Sequence, residues 1–395
     1  MTQSDIGVAV IGAGMAGRAH CAGYRSAPTL FDPPLPAIRY AAVVDANEAV
    51  AKDAATRYGF ERTSTDWREL LDAPDIDVVS VVVANELHRP IVEALLEAGK
   101  HVLCEKPLAP SVTDARAMVA AAQARPDLVT GTGFLYRRQP AVAAVRDLLH
   151  EQLGPVSHFN GRYWCDYARS PLTPMAWRYK GGPGTGALAD IGSHLIDLAE
   201  FVCGPLASVS GAAFTTMVTQ RAVPVGTNYG HARAQLSDVV EPVENDDVAT
   251  FTAHFASGAV GTFSISRVTP GHANSLAFDL LAERGAAKWD MERPAEFSVL
   301  LDPTDEARAA VNGYNQVLVG PAHPYIRGGL PMDFPGCSFG VGDLFGYQAR
   351  AFLEQVAGIE GLPPVASFED GLRDLTVIDA VTRSAAAGGA AVELA

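Results

Sequence analysis

Three sets of residues in this chain have the types and spacing to do chemistry. Lys106 stands in Glu105-Lys106-Pro107, directly after the apolar run 101–104. An ammonium there can donate to a substrate hydroxyl and stabilise a developing alkoxide. Asp190 and His194 lie four residues apart within a glycine-rich stretch, 180–197, that leads into a helical pattern. On a helix this spacing puts both on one face, where a carboxylate fixes the tautomer of an imidazole and raises its basicity. Gly12, Gly14 and Gly17 form G-x-G-x-x-G, whose backbone can cradle a pyrophosphate. Plainer readings stand beside these. Lys106 is also what a loop start on the surface offers, Asp190 suits a helix N-cap, and His194 suits a packed core. Asp190, His194 and Asp197 could also ligate a metal, but no further Asp/His cluster completes a shell, so no metal is expected.

The elements that must hold these residues follow from hydrophobic pattern. The run 6–11 reads as a buried strand, and a helical pattern continues from Arg18. Gly12 permits the tight turn, Gly14 the approach of phosphate and Gly17 close helix–strand packing. The amides of Met15, Ala16 and Gly17 then point at the phosphates from a helix N-terminus. A second strand, 38–44, ends at Asp45. Its carboxylate can accept from ribose hydroxyls and repels a 2′-phosphate, so NAD is expected over NADP. Strands at 76–83, 101–104 and 128–134 alternate with helices at 48–58, 89–98 and 111–123, with Asn85 and His88 in a loop at a strand end. This βα alternation predicts a doubly wound parallel sheet over residues 1–136, a Rossmann fold.

From residue 137 the pattern changes. A helix is expected at 140–152. Strands follow at 156–164, 207–216, 247–255, 259–266, 276–282, 286–290 and 297–301, and helices at 191–203, 344–356 and 368–386. Residues 220–244 read as a long polar loop. The second domain, 137–395, is therefore expected to be α+β, with a large, mostly antiparallel open sheet. The fold class is α/β.

The 395 residues suffice for two domains. With 45 acidic against 30 basic residues the net charge is −15, which argues against nucleic-acid or anionic-membrane binding. No signal peptide or membrane-length apolar run is evident. Cys21, Cys104, Cys165, Cys203 and Cys337 are widely spaced and read as reduced thiols of a cytoplasmic protein.

Taken together, Gly12-x-Gly14-x-x-Gly17, Ala84-Asn85-x-x-His88, Glu105-Lys106-Pro107-Leu108, Tyr136-Arg137-x-x-Pro140, Trp177-Arg178 and Gly186-x-Leu188-x-Asp190-x-Gly192-x-His194-x-x-Asp197 resemble the glucose–fructose oxidoreductase/inositol dehydrogenase/MocA family over nearly the whole chain. Within it, the proline-rich stretch 28–36 and the segment 320–325 resemble the levoglucosan dehydrogenase-like sugar dehydrogenases. The resemblance implies a catalytic set of Lys106, Asp190 and His194. It implies a nucleotide site of Gly12, Gly14, Met15, Ala16, Gly17, Asp45, Asn85, His88, Glu105 and Lys106. It also implies a homodimer or homotetramer. Arg137, Tyr163, Asp166, Arg178 and His323, with Lys106 and His194, are the expected contacts of a sugar or cyclic polyol, whose recognition needs many paired hydrogen bonds. The function implied is NAD-dependent oxidation of a secondary hydroxyl, with Lys106 and His194 meeting at the reactive ring and either one taking the proton. An NAD-using glycosidase on the same fold and a non-catalytic sugar- and nucleotide-sensing regulator are the alternatives.

Overall fold

The computed structural model describes residues 5–226, 234–301, 313–329, 334 and 339–394. The chain forms two compact units. One comprises Met1–Leu135, Pro324–Asp333 and Phe339–Leu375, the other Tyr136–His323, Phe334–Ser338 and Thr376–Ala395.

The first unit is built on strands β1 (Ile6–Ile11), β2 (Ile38–Val44), β3 (Arg62–Ser64), β4 (Val78–Val81), β5 (His101–Cys104) and β6 (Thr130–Thr132). They are parallel and run in the order β3-β2-β1-β4-β5-β6. Every residue of β1 and β4 is buried, as continuous apolar strands covered on both faces must be. Helices α1 (Met15–Ser26), α2 (Glu48–Tyr58), α3 (His88–Glu97) and α4 (Val112–Gln123) make the crossovers. The chain marks their ends by ordinary capping chemistry. The Asn47 side chain accepts from the amides of Ala49 and Val50 to open α2, Gly59 in the left-handed region closes it, and Ser111 accepts from the Asp114 amide to open α4. Strand β3 was not expected; three partly exposed residues at a sheet edge carry too little apolar pattern to announce themselves.

The second unit opens with helix α5 (Pro140–Leu148). It continues through β7 (Val156–Cys165), α6 (Ser193–Cys203), β8 (Leu206–Thr215), β9 (Gln220–Pro224), β10 (Leu236–Pro242), β11 (Val248–Phe255), β12 (Val260–Ser266), β13 (Asn274–Ala282), β14 (Gly285–Asp290), β15 (Glu296–Leu301) and β16 (Asn315–Leu318). Helices α7 (Val341–Ala357) and α8 (Phe368–Ala386) and strand β17 (Val392–Glu393) end the chain. Nine strands form one sheet, β16-β15-β14-β13-β7-β12-β11-β8-β17. All its pairings are antiparallel except β7 with β12. Its inner face is aromatic. Phe251 and Phe263 lie opposite each other in the register and stack at 4.5 Å, with Phe159 and Phe278 beside them. Thr250, Thr252 and His254, which alternate with the buried residues of β11, are exposed.

Two expectations need correction. Residues 220–244 are not one loop: β9 and β10 pair as an antiparallel hairpin, while 227–233, like Cys337, lie outside the described residues. Apart from Arg221, the residues of these two strands are exposed or only partly buried, so no apolar alternation marks them. Helix α7, assigned by sequence to the second domain, packs in the first unit. Gly23 of α1 lies so close to it that a Cβ there would come within 2.7 Å of the Phe345 carbonyl oxygen, and Ala349, Phe352 and Leu353 join the core around Val8, Val10 and Tyr24.

Candidate active site

The first unit carries the nucleotide cradle. Gly12 adopts φ +93°, and a Cβ on it would meet the Val82 carbonyl oxygen at 2.0 Å. A Cβ on Gly17 would meet the Gly12 carbonyl oxygen at 1.8 Å. At Gly14, by contrast, a Cβ would find no atom within 4 Å, so the loop is open on that side. Gly14 caps α1 without a side-chain hydrogen bond, and no acidic residue occupies the first turn. The helix end therefore presents amides and positive dipole to an anion. Asp45 accepts from the amides of Ala13 at 2.8 Å and Asn47 at 2.9 Å, which fixes its carboxylate beside the glycine loop. Each oxygen keeps a lone pair for a ribose hydroxyl. These residues fit a dinucleotide.

Around the ends of β4 and β5 the picture is mixed. Asn85 opens a turn after β4 and is 7% exposed. His88 is fully buried, with Nδ1 3.1 Å from the Leu108 carbonyl oxygen and Nε2 3.2 Å from that of Val83. Burial lowers its pKa despite these carbonyls. The ring thus lies between two loops, and while neutral it has one N–H, which donates to one of the two carbonyls. Lys106 follows β5, is half-buried, and forms a cis peptide with Pro107. Glu105 is buried. Its Oε1 pairs with His20 Nε2 at 2.9 Å, and its Oε2 accepts from the Lys106 amide at 3.2 Å. Burial pushes its pKa up, but the hydrogen bond from His20 leads the opposing influences, the Lys106 ammonium and amide add to it, and the carboxyl is held below its usual range.

The second unit carries the His194 group. Asp190 lies in a widened, π-type turn, Leu188–Gly192, and α6 begins only at Ser193. The cap of α6 is Gly192, with no side-chain bond, so Asp190 is not an N-cap. Such turns recur at functional sites. The Asp190 carboxylate accepts from the Tyr167 hydroxyl at 2.7 Å and lies 3.7 Å from the Arg178 guanidinium. His194 is 7% exposed. Tyr136 packs edge-on to its ring at 4.8 Å, and Tyr163 lies at 6.2 Å. The hydroxyls of Tyr136 and Tyr163 are 2.8 Å apart, and burial raises both their pKa values, that of Tyr136 to about 12. Both phenols therefore stay protonated hydrogen-bonding groups.

Of the expected sugar contacts, Tyr163 and Arg178 belong to this group. Arg137 pairs with Asp197 in α6, with Nε at 2.9 and 3.0 Å from the two carboxylate oxygens, and 17% of its side chain is exposed. A buried charge needs a partner, and Asp197 is that partner. Among the described residues no cluster of three or more His, Cys, Asp or Glu could hold a metal. Asp166 is exposed in the loop after β7. His323 is half-buried, which lowers its pKa against the opposing charge of Asp147. Tyr167 was missed by sequence. A lone tyrosine in a loop has no spacing signal, and only its nearness to Asp190 reveals it.

Residues 6–132 match the family described as oxidoreductase family, NAD-binding Rossmann fold, and residues 142–288 match the Gfo/Idh/MocA C-terminal domain. Levoglucosan dehydrogenase of Pseudarthrobacter phenanthrenivorans is 35% identical over 388 residues, covering 97% of each chain. The structure of levoglucosan dehydrogenase in complex with NADH and levoglucosan superposes with a TM-score of 0.88 at 33% identity, covering 99% of this chain and 100% of that one. An oxidoreductase domain protein from Kribbella flavida gives 0.88 at 34% identity, covering 100% of both chains. Among the described residues no helix is long and apolar enough to cross a membrane. With its glycine cradle on a 3-2-1-4-5-6 parallel sheet and both segments matched, the chain is an oxidoreductase that belongs to the Gfo/Idh/MocA family.

Proposed function

We propose that this protein is an NAD-dependent dehydrogenase that oxidises a secondary hydroxyl of a neutral sugar, with an anhydrosugar of the levoglucosan type as its preferred substrate class. The observation that carries the reaction is the His194 group. The imidazole packs among the buried phenols of Tyr136 and Tyr163, four residues along the chain from a carboxylate held by Tyr167 and Arg178, a set of groups suited to abstracting a proton from an alcohol. The anhydrosugar is supported by the identity of 35% over 97% of both chains to levoglucosan dehydrogenase.

In this reading the glycine cradle and the α1 N-terminus hold the pyrophosphate, and Asp45 holds the adenosine ribose. NAD, when bound, supplies the hydride acceptor. Lys106 donates to the carbinol oxygen and holds it as negative charge develops. His194 takes the hydroxyl proton. Asp190 sets the ring's orientation and stabilises the imidazolium that forms. Tyr163 and Arg178 bind the remaining hydroxyls, and the resemblance further implies a homodimer or homotetramer.

The test is kinetic. Lys106→Ala and His194→Ala should each lower turnover by about 10²- to 10⁴-fold, with NAD affinity by fluorescence titration near the parent's. A panel of levoglucosan, inositols and free aldoses, scored by NADH formation, identifies the substrate. Parent-like turnover in both variants, on the best substrate of that panel, overturns the assignment.

A further inference from the structure

We propose that Tyr24, Ser80 and His20 form a one-way hydrogen-bond relay that fixes Glu105 and, through it, the position of Lys106. This deepens the dehydrogenase reading and rests on it, since it gives Lys106 the role proposed above.

The relay lies in the first unit and is buried throughout. Tyr24 and Ser80 have no exposed surface, His20 is 3% exposed and Glu105 8%. His20 and Tyr24 are one turn apart on α1, so their side chains share a face. Ser80 interrupts the otherwise all-valine strand β4, Val-Val-Ser-Val. The Tyr24 hydroxyl is 2.8 Å from Ser80 Oγ, which is 3.1 Å from His20 Nδ1, and His20 Nε2 is 2.9 Å from Glu105 Oε1.

Counting donors gives the chain a direction. Glu105 adjoins the Lys106 ammonium in the chain, and its Oε2 accepts from the Lys106 amide while its Oε1 faces His20 Nε2; as a carboxylate it can only accept, so His20 Nε2 carries a proton and donates. If the ring is neutral, Nδ1 is a lone pair and must accept from the Ser80 hydroxyl. Ser80 Oγ in turn accepts from the Tyr24 hydroxyl, which burial keeps protonated. Each donor is then used once and each acceptor is met. In the doubly protonated alternative, Nδ1–H donates to Ser80 and the Ser80 hydroxyl turns to Tyr24. That leaves one hydroxyl proton, of Tyr24 or of Ser80, with no acceptor among the described hydrogen-bond partners of the pair. A buried unmade hydrogen bond is costly, so the neutral Nε2–H ring is favoured.

The far end of the relay is fixed as tightly. A Cβ on Gly133 would fall 2.6 Å from Glu105 Oε1, so the carboxylate fills the space that glycine leaves. The Phe345 ring closes edge-on over His20 at 5.3 Å. The titratable groups facing Glu105 are His20 from α1, Lys106 beside it, His88 from α3 and Cys104 from β5, while Cys21 adjoins Tyr24. Glu105 Oε2 accepts from the Lys106 amide. A carboxylate that swings therefore moves the backbone from which the ammonium projects. His20, Ser80 and Tyr24 are positioning residues, since none of the three is placed at the substrate.

Two measurements on the whole protein test this. In the first, ¹⁵N-histidine NMR at neutral pH should show His20 as the neutral Nε2–H tautomer, and Ser80→Ala should abolish that single state. A doubly protonated or Nδ1–H His20 in the parent overturns the relay. In the second, Ser80→Ala and Tyr24→Phe should lower kcat about tenfold and shift the pH–rate profile, with KM for NAD unchanged. Ser80→Thr, which keeps the hydroxyl, should restore both. If Lys106→Ala is inactive while Ser80→Ala keeps the parent's kcat and profile, the relay is wrong and the dehydrogenase reading stands. If Lys106→Ala keeps parent turnover, the reading itself fails and takes the relay's role with it.

Discussion

In the proposed reaction Asp190 orients the His194 imidazole, a role that needs its own carboxylate held still, and the Tyr167 hydroxyl donates to it at 2.7 Å. Burial pushes the Tyr167 pKa well up, so the phenol remains a donor across the working range. Tyr167→Phe keeps the ring and deletes the hydrogen bond. It should lower kcat about tenfold and leave NAD affinity unchanged, as steady-state kinetics and fluorescence titration would show. Asp45 makes a separate expectation at the cofactor. Its carboxylate faces the end of the glycine loop and would repel a 2′-phosphate. The parent should give a higher kcat/KM with NAD than with NADP, and Asp45→Ser should narrow that ratio; a parent preference for NADP would sink the assignment. At this scale the sequence was informative where a motif ties residue type to a fixed backbone place, as with Gly12, Gly17 and Lys106. It was silent on the partners that polar side chains find within the protein. Arg137 and His88 suit a ligand by type, and nothing in their spacing announces the Asp197 carboxylate beside Arg137 or the two carbonyls beside His88.

Helices and strands were legible where one face is consistently apolar. The bounds of β1, β2, β5, α2, α4 and α8 agree with the hydrophobic pattern or its caps almost residue for residue. What periodicity cannot report is the neighbour. The apolar face of α7 says that it packs, not that it packs on α1. The reason it does so is partly polar. Arg350 is fully buried and donates to the carbonyl oxygens of Leu30 and Pro33 and to Glu354 one turn on. Glu354 in turn accepts from the Leu362 amide. One arginine thereby anchors the proline-rich stretch 28–36 to α7. Removing one partner of a buried pair leaves the other uncompensated. Arg350→Met should destabilise the protein by about 3–5 kcal/mol, read as a lowered midpoint in urea. Lys52→Met, which removes an exposed pair with Glu48, should cost under about 1 kcal/mol. Comparable losses from both would show that Arg350 is no anchor.

For the molecule as a whole, the change from βα alternation to strand-rich sequence after residue 136 announced two kinds of architecture. It did not announce that residues 339–375 belong with the first unit, because a chain that returns late to an earlier core leaves no local mark. Composition set only coarse limits, and the reaction must be decided by its mass balance. Oxidation of a secondary alcohol by NAD yields a ketone, NADH and one proton. Two consequences follow that an NAD-using glycosidase, which returns the hydride to its own substrate, does not share. Each sugar consumed should yield one NADH with the carbon skeleton intact, as absorbance and mass spectrometry together would show. Because a proton is a product, raising the pH must drive the equilibrium forward. The ratio of products to reactants should grow about tenfold for each pH unit by proton linkage. A sugar consumed on catalytic NAD, with no NADH accumulating and an equilibrium indifferent to pH, would mean that the hydride never leaves the enzyme, and the dehydrogenase would have to give way to the glycosidase.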